Sequence, residues 1–216
     1  MTSAPHSPPA SPAPAVSDAE RTRAAALGAV LFRNRGWLPV PFVAVPILAP
    51  SQLGPGQHVT AWVVGALLVA FGEVFRLAGV AAAGTVTRRR SRAVQRLVTY
   101  GIFAWCRNPL YVGNFFAWLG VVVASGVLWF LPVAAVLFAV EYTLIVRYEE
   151  GVLESIFGAE YLAYKASTPR WLPRPPRVRE TGPHAWGEAW RSEVSTLLQY
   201  VALAAALGVK YWAAKR

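Results

Sequence analysis

The segment RNPLYVG at residues 107–113 decides the fold, because it joins a basic loop to a long apolar stretch. Asn108 is a favourable N-cap residue, and Pro109 suits the first position of a helix. We therefore predict that a helix begins here, at the water edge of a membrane. The free N–H groups and the positive dipole end of such a helix make a site for an anion.

The composition indicates an integral membrane protein. Of the 216 residues, 55% are hydrophobic and 15% are charged, and the mean hydropathy is +0.38. The net charge of +10 resides mostly in segments between apolar runs, as in cytoplasmic loops facing anionic headgroups. No basic face of a soluble fold is visible, so we expect no nucleic-acid partner. The single Cys106 excludes an internal disulfide framework and a cysteine-rich metal site.

The apolar runs predict an all-α fold, a polytopic bundle of about five transmembrane helices. We predict a disordered tail at 1–17, followed by a single membrane-embedded domain at 18–216. Asp18 is expected to cap a short amphipathic helix to about Phe32. A surface helix is expected at 151–165, and the Pro/Arg-rich segment 168–179 is not expected to be helical. The five predicted spans are 37–53, 59–83, 109–124, 127–147 and 194–212.

Two of these runs form a hairpin that brings distant residues together. The turn Ser125-Gly126 separates them, and the arms are antiparallel, so Asn108 and Glu149 are predicted to lie on the same side. Glu149 and its neighbour Glu150 follow the second arm. We predict that this C-terminal helical hairpin provides the two walls of a cofactor site.

Charges inside and between the runs predict pairing and orientation. Glu73 and Arg76 stand three residues apart within a predicted span, so we expect them to face the bundle interior as a structural ion pair. The basic cluster at 88–92 is expected to be a solvated group of charges. The positive-inside bias places 88–107 and 147–191 in the cytoplasm and the turns 51–57 and 125–126 outside. Whether the run 194–212 spans or re-enters stays open.

Two separated blocks of sequence carry a resemblance to a known family. The first reads L-V-T-x-G-x-x-A-W-x-R-N-P-x-Y-V-G at 97–113. The second consists of E-E at 149–150, F-G-x-E-Y-x-x-Y at 157–164 and P-R at 169–170. Together they resemble the signature of the isoprenylcysteine carboxyl methyltransferases, a group that also includes bacterial phospholipid N-methyltransferases. The resemblance covers about residues 88–173, with the expected apolar hairpin between the blocks.

The resemblance implies an integral membrane methyltransferase that uses S-adenosylmethionine and works on the cytoplasmic side. The acceptor would be a lipid or isoprenoid molecule entering from the bilayer, with a prenylated carboxylate or an amine headgroup; no metal is expected. By this resemblance, catalytic roles fall to Arg107, Tyr111 and Glu149, and substrate binding to Arg147. The cofactor-binding residues it implies are Gln95, Arg96, Leu97, Val98, Phe103, Asn108, Pro109, Leu110, Tyr111, Glu149 and Glu150.

The chain departs from the family pattern at three positions. Asn108 stands where the family usually has His, and an amide cannot take up a proton near neutral pH. Phe103 lies near a family Tyr, so a hydroxyl contact is lost. Ile145 occupies the position of the family Arg that binds the substrate carboxylate, and Arg147 is only nearby. These departures bear on the acceptor more than on the cofactor.

Two other functions compete with this interpretation. NADPH-dependent membrane reductases of the sterol type carry a similar R-H-P-x-Y-x-G run, and a small non-enzymatic transporter is the third possibility. The second block favours the methyltransferase, and no inverted repeat supports a transporter. Methyl transfer depends on in-line geometry more than on acid–base catalysis, so His58 and His184, outside the blocks, are assigned no role. O- or N-methylation and the oligomeric state stay open.

Overall fold

The computed structural model describes residues 18–54, 56–84, 96–176 and 181–214, and this part of the chain folds into helices without strands. The predicted tail at 1–17 and the basic cluster at 88–92 lie outside the described residues. The all-α prediction is confirmed. The helices are α1 (Asp18–Arg33), α2 (Val40–Leu48), α3 (Gln57–Ala83), a 3-10 turn (Gly101–Ala104), α4 (Pro109–Ser125), α5 (Phe130–Phe157), α6 (Ala159–Ser167) and α7 (Trp186–Ala213).

Three helices, α3, α5 and α7, are long and apolar enough to cross a membrane by length and composition. The apolar helix α4 is shorter, with 17 residues. The predicted first span at 37–53 was wrong, because only the nine residues of α2 are helical there. Pro39 stands at the N-cap and Pro46 lies inside this helix, and each proline removes a backbone donor.

The hairpin forms as predicted, but its second arm is longer than expected. Gly126 closes α4 with a φ of +68°, and α5 then starts at Phe130. We predicted an end near Arg147 and a new helix from Gly151, whereas α5 is continuous for 28 residues. Gly158, with a φ of +52°, ends α5. The predicted surface helix at 151–165 is therefore divided: its first part belongs to α5, and its second part forms the separate helix α6. Glu149 lies 19 residues after Phe130, or about 29 Å along α5, close to the thickness of a hydrocarbon core.

Helices α3 and α4 pack backbone to backbone through facing glycines. A Cβ atom built on Gly65 would lie 2.5 Å from the carbonyl oxygen of Gly120, and one on Gly113 would lie 2.5 Å from that of Gly72. Only hydrogen fits at such contacts, which are typical of helices that associate in membranes. The seven-residue spacing of Gly65 and Gly72 keeps both on one face of α3.

The two ends of the bundle are defined by contacts between distant segments. At one end, Ala185 N–H donates to the carbonyl of Ala81 at 2.8 Å, joining the start of α7 to the end of α3. At the other end, Gln52 N–H donates to the carbonyl of Gly126 at 2.8 Å. Lys210 near the end of α7 reaches the same region and donates to the carbonyl of Pro46 at 2.6 Å. Helix α7 is therefore a continuous helix whose far end lies beside the two neutral turns.

Helix α1 lies along the second half of α5. A Cβ atom on Gly28 would lie 2.5 Å from the carbonyl oxygen of Leu144, so the two helices approach closely. One turn later, the rings of Phe32 and Tyr148 are 5.7 Å apart. This packing brings the end of α1 and the following loop to the level of Glu149.

The glycine contact gives a test of the packing. Gly72→Ala is expected to destabilise the protein by about 1–3 kcal/mol, because the new methyl group must push α4 away. Gly208→Ala on α7 is the matched control, since a Cβ there meets nothing within 4 Å. The control is expected to be neutral or stabilising by up to about 1 kcal/mol. Thermal unfolding in detergent, followed by circular dichroism, measures both, and equal melting temperatures would contradict the packing.

Candidate functional site

A buried carboxylate joins the two sequence blocks. The guanidinium of Arg107 donates to Glu150 Oε1 from Nε at 3.2 Å and from Nη2 at 2.9 Å. Arg170 donates to the same carboxylate from Nε at 3.1 Å and from Nη2 at 2.5 Å. Glu150 is 4% exposed, so both charge-assisted contacts are shielded from water. This Arg107–Glu150–Arg170 cluster fixes the start of α4 against α5.

Arg107 also holds the chain that follows α6. Its Nη1 donates to the carbonyls of Lys165 at 2.8 Å and Thr168 at 2.5 Å, and its own N–H donates to the carbonyl of Pro169 at 2.9 Å. The segment 168–176 contains no helix, as predicted. Hydrogen bonds from Arg107 to the carbonyls of Thr168 and Pro169 hold the backbone of this segment in place.

Helix α4 begins at Pro109 as predicted, but the side chain of Asn108 does not cap it. The carbonyl of Asn108 accepts the N–H groups of Tyr111 and Val112, each at 3.1 Å. Its Nδ2 donates to the carbonyl of Arg170 at 3.1 Å instead. Asn108 is thus the N-cap residue, as predicted, and its side chain connects the start of α4 to the second block.

Glu149 faces a different environment from Glu150. The hydroxyl of Tyr111 donates to Glu149 Oε1 at 2.8 Å, and the Glu149 side chain is 29% exposed. The Tyr111 ring packs on Tyr142 with centroids 4.8 Å apart, which orients the hydroxyl. Successive residues of a helix point about 100° apart, so one carboxylate enters the Arg107–Glu150–Arg170 cluster and the other opens on a cavity.

That cavity has a volume of about 1090 Å³. Ligand pockets of proteins commonly measure about 300–1,000 Å³. Gln95 lies outside the described residues, and Arg147 is exposed and is not among the lining residues. The structure brings together the remaining predicted site residues around this cavity, namely Arg96, Leu97, Val98, Phe103, Arg107, Asn108, Pro109, Leu110, Tyr111, Glu149 and Glu150.

The predicted ion pair on α3 is part of a larger polar group. Arg76 Nε lies 3.3 Å from Glu73 Oε2, and Arg76 Nη2 donates to Glu193 Oε2 at 2.8 Å. Arg76 also donates to Asn114 on α4 and lines the cavity. The sequence indicated the pair but missed Glu193, which comes from α7, 117 residues away.

A strap at 181–185 covers the first block, and the sequence did not indicate it. Tyr100 accepts a hydrogen bond from Arg96 Nη2 at 2.7 Å, and its hydroxyl lies 3.0 Å from the carbonyls of Ala82 and Pro183. The ring of His184 packs against that of Tyr100 with centroids 5.6 Å apart. His184 therefore lies beside the first block, although the sequence assigned it no role there. The sequence feature that could have indicated this contact is the aromatic residue Tyr100, at the variable position of L-V-T-x-G.

Two buried groups outside the long apolar helices stay protonated at neutral pH. Tyr164 donates to the carbonyl of Phe103 at 2.8 Å, and burial raises the pKa of its hydroxyl, so it stays a donor at neutral pH. Burial also raises the pKa of the Cys106 thiol to about 11, which keeps it protonated and unreactive. No group of three or more His, Cys, Asp or Glu side chains that could hold a metal ion occurs within the described ranges.

Comparisons with known proteins find a methyltransferase family model and methyltransferase relatives. Residues 60–160 match the family model "Phospholipid methyltransferase". The chain is 37% identical over 117 residues to protein-S-isoprenylcysteine O-methyltransferase of Mus musculus, covering 50% of this chain and 40% of that protein. It is 32% identical to protein-S-isoprenylcysteine O-methyltransferase A of Arabidopsis thaliana, covering 56% and 64%.

A bacterial protein with a different name also matches. The chain is 38% identical over 78 residues to the cobalt-zinc-cadmium resistance protein CzcN of Cupriavidus metallidurans, covering 36% of each chain. The chain thus spans about 40% of the length of the mouse protein and less than two thirds of the plant and bacterial proteins. No solved structure matches.

The two adjacent carboxylates give a second prediction, on stability. Glu150→Gln is expected to destabilise the protein by about 3 kcal/mol, because it leaves Arg107 facing Arg170 without a countercharge. The control Glu160→Gln changes an exposed carboxylate on α6 and is expected to cost less than about 1 kcal/mol. Thermal unfolding of the purified variants provides the comparison. A Glu150→Gln protein as stable as the control would show that the cluster does not hold the blocks together.

Proposed function

Because the chain is related to the isoprenylcysteine and phospholipid methyltransferases, as its sequence indicated, we propose that it is an integral membrane methyltransferase. It uses S-adenosylmethionine to methylate a lipid-like acceptor, either a prenylated carboxylate or an amine headgroup. The observation that carries this proposal is the cavity. It joins the start of α4 and the carboxylate of Glu149 to apolar residues of α2 and of the second half of α7.

The residues around the cavity suit S-adenosylmethionine, which carries a sulfonium, an ammonium and a carboxylate. Glu149 is a hydrogen-bond acceptor for the ammonium or the ribose hydroxyls, and it remains open to the cavity. The start of α4 at Asn108 and Pro109 offers its positive dipole end to the carboxylate. Leu97, Val98 and Phe103 supply apolar surface for the adenine ring.

When bound, the cofactor supplies an electrophilic methyl group, and the protein contributes orientation. Tyr111 fixes one oxygen of Glu149 by its 2.8 Å hydrogen bond, so the carboxylate approaches the ligand in one direction. Arg107 is committed to Glu150 and two carbonyls, so we assign it a positioning role instead of contact with the reacting atoms. Holding the nucleophile in line with the methyl carbon contributes most of the rate acceleration in such a reaction.

The acceptor is proposed to enter sideways from the bilayer. Val43 and Ile47 from α2 and Leu203 and Ala206 from α7 line the cavity away from the carboxylates, and they provide a surface for an apolar chain. A carboxylate acceptor needs no general base, whereas an amine must arrive deprotonated. The absence of a histidine at position 108 is compatible with both.

The third prediction concerns the cofactor. S-adenosylmethionine and its demethylated product should raise the melting temperature of the purified protein by ligand linkage. Glu149→Gln should weaken binding about ten- to a hundredfold, because it removes one charge-assisted hydrogen bond of about 1.5–3 kcal/mol. Isothermal calorimetry measures the dissociation constants, with Glu160→Gln as the control of equal charge. Stabilisation by NADPH, with none by either methyl-donor species, would disprove the methyltransferase function.

The fourth prediction concerns topology, with the active site on the cytoplasmic side of a multi-pass protein. Thr181 is exposed at the end that carries the cavity residues 107–111, and Gln57 is exposed at the opposite end. Thr181→Cys should be labelled by an impermeant maleimide only from the cytoplasmic side, and Gln57→Cys only from outside. The buried Cys106 should remain unlabelled at pH 7.5 and serve as the background. Labelling of both sites from one side would refute this orientation.

A further inference from the structure

Among the residues that the structure describes, four arginines line the cavity, and three of them donate hydrogen bonds to other side chains. Arg107 binds Glu150, and Arg76 binds Glu73 and Glu193. Arg96 donates to the Tyr100 hydroxyl beneath the strap at 181–185. These three guanidinium groups stabilise contacts within the protein, so their positive charges are only partly available to a ligand. The fourth, Arg35, enters the cavity from the loop after α1.

Arg35 differs from the others in its contacts. Its Nη1 forms a long ion pair with Glu149 Oε1 at 3.9 Å, which is beyond hydrogen-bonding distance. Its guanidinium stacks 4.4 Å over the ring of Phe32, and its side chain is 24% exposed. Within the part of the chain that the structure describes, this guanidinium makes no hydrogen bond. The side chain is thus held in place while its donors face the cavity.

An apolar strip follows directly from Arg35. Pro39, Val43 and Ile47 recur every four residues and all line the cavity, so they form one side of α2. Eight residues of helix extend about 12 Å, which gives the strip its length. Trp118 on α4 also lines this part of the cavity and packs against Phe42 of α2. The protein therefore presents a cation at one end of a narrow apolar surface.

We propose that Arg35 is a specificity-determining residue that binds the anionic head of the acceptor, whose apolar tail lies along α2. This inference rests on the proposed function, since it names the recognition element for the acceptor. The planar guanidinium donates in a fork that matches a carboxylate or a phosphate, so the head is one of these two anions. Ile145, at the position of the family arginine, is fully buried, does not line the cavity and supplies no charge.

Binding of simple amphiphiles tests the inference without any turnover. The probes are dodecanoate, dodecyl phosphate and the neutral dodecanol, added to purified protein in a neutral detergent and measured by calorimetry. Wild-type protein is expected to bind at least one anion about tenfold or more tightly than dodecanol. The preferred anion distinguishes a carboxylate acceptor from a phosphate-bearing headgroup.

Two variants test whether Arg35 is the source of the preference for anionic probes. Arg35→Gln should remove the preference for the anion while leaving the affinity for dodecanol unchanged. Arg33→Gln is the matched control, because Arg33 is exposed at the end of α1 and does not line the cavity. It should keep the preference. Equal affinities of wild-type protein for all three probes, or a preference that survives in Arg35→Gln, would overturn the inference.

The result is separable from the proposed function. Binding of S-adenosylmethionine by wild-type protein is measured in parallel and depends on Glu149. If the cofactor binds but Arg35→Gln keeps the anion preference, the recognition role fails and the methyltransferase function stands. If the anion preference depends on Arg35 but the cofactor does not bind, the amphiphile site stands and the proposed reaction fails.

Discussion

The buried ion group of Glu150 with Arg107 and Arg170 is the constraint on which the site depends. It connects residues that are 43 and 20 positions from the glutamate, so no local preference produces it. Ion groups of this kind add little net stability, but they penalise any arrangement that separates their members. With Glu150 fixed toward the arginines, helical geometry turns Glu149 toward the cavity. The contacts of Glu150 thus determine the direction in which the side chain of Glu149 points.

The parts of the site that could be predicted follow from short-range signals. Asn108 and Pro109 mark the start of α4, and Ser125-Gly126 marks the turn, because capping and turn residues act within a few positions. The antiparallel arms of the hairpin then place Asn108 and Glu149 on the same side of the protein. The pairing of Glu73 with Arg76 likewise follows from helical spacing. These inferences needed only the local chain and the thickness of a membrane.

The rest depended on contacts between distant residues. Helix α5 continues past Arg147 and places Glu150 against Arg107 and Arg170, two contacts that the sequence pattern does not display. Glu193 reaches Arg76 from helix α7, and Arg35 reaches the cavity from the loop after α1, although neither residue lies near a motif. His184 packs on the first block because the strap before α7 returns to the end of α3. Such positions become visible only when the helices are assembled.

The glycine contact between α3 and α4 has a consequence for motion. Two backbones in direct contact leave no side chains that can change rotamer, so this pair of helices behaves as one rigid unit. Entry and exit of a ligand must then be accommodated elsewhere around the cavity. The proline-interrupted α2 and the loop before it, which carries Arg35, have fewer internal hydrogen bonds to lose. The side of the molecule with fewer backbone hydrogen bonds is therefore the side on which we propose that the acceptor binds.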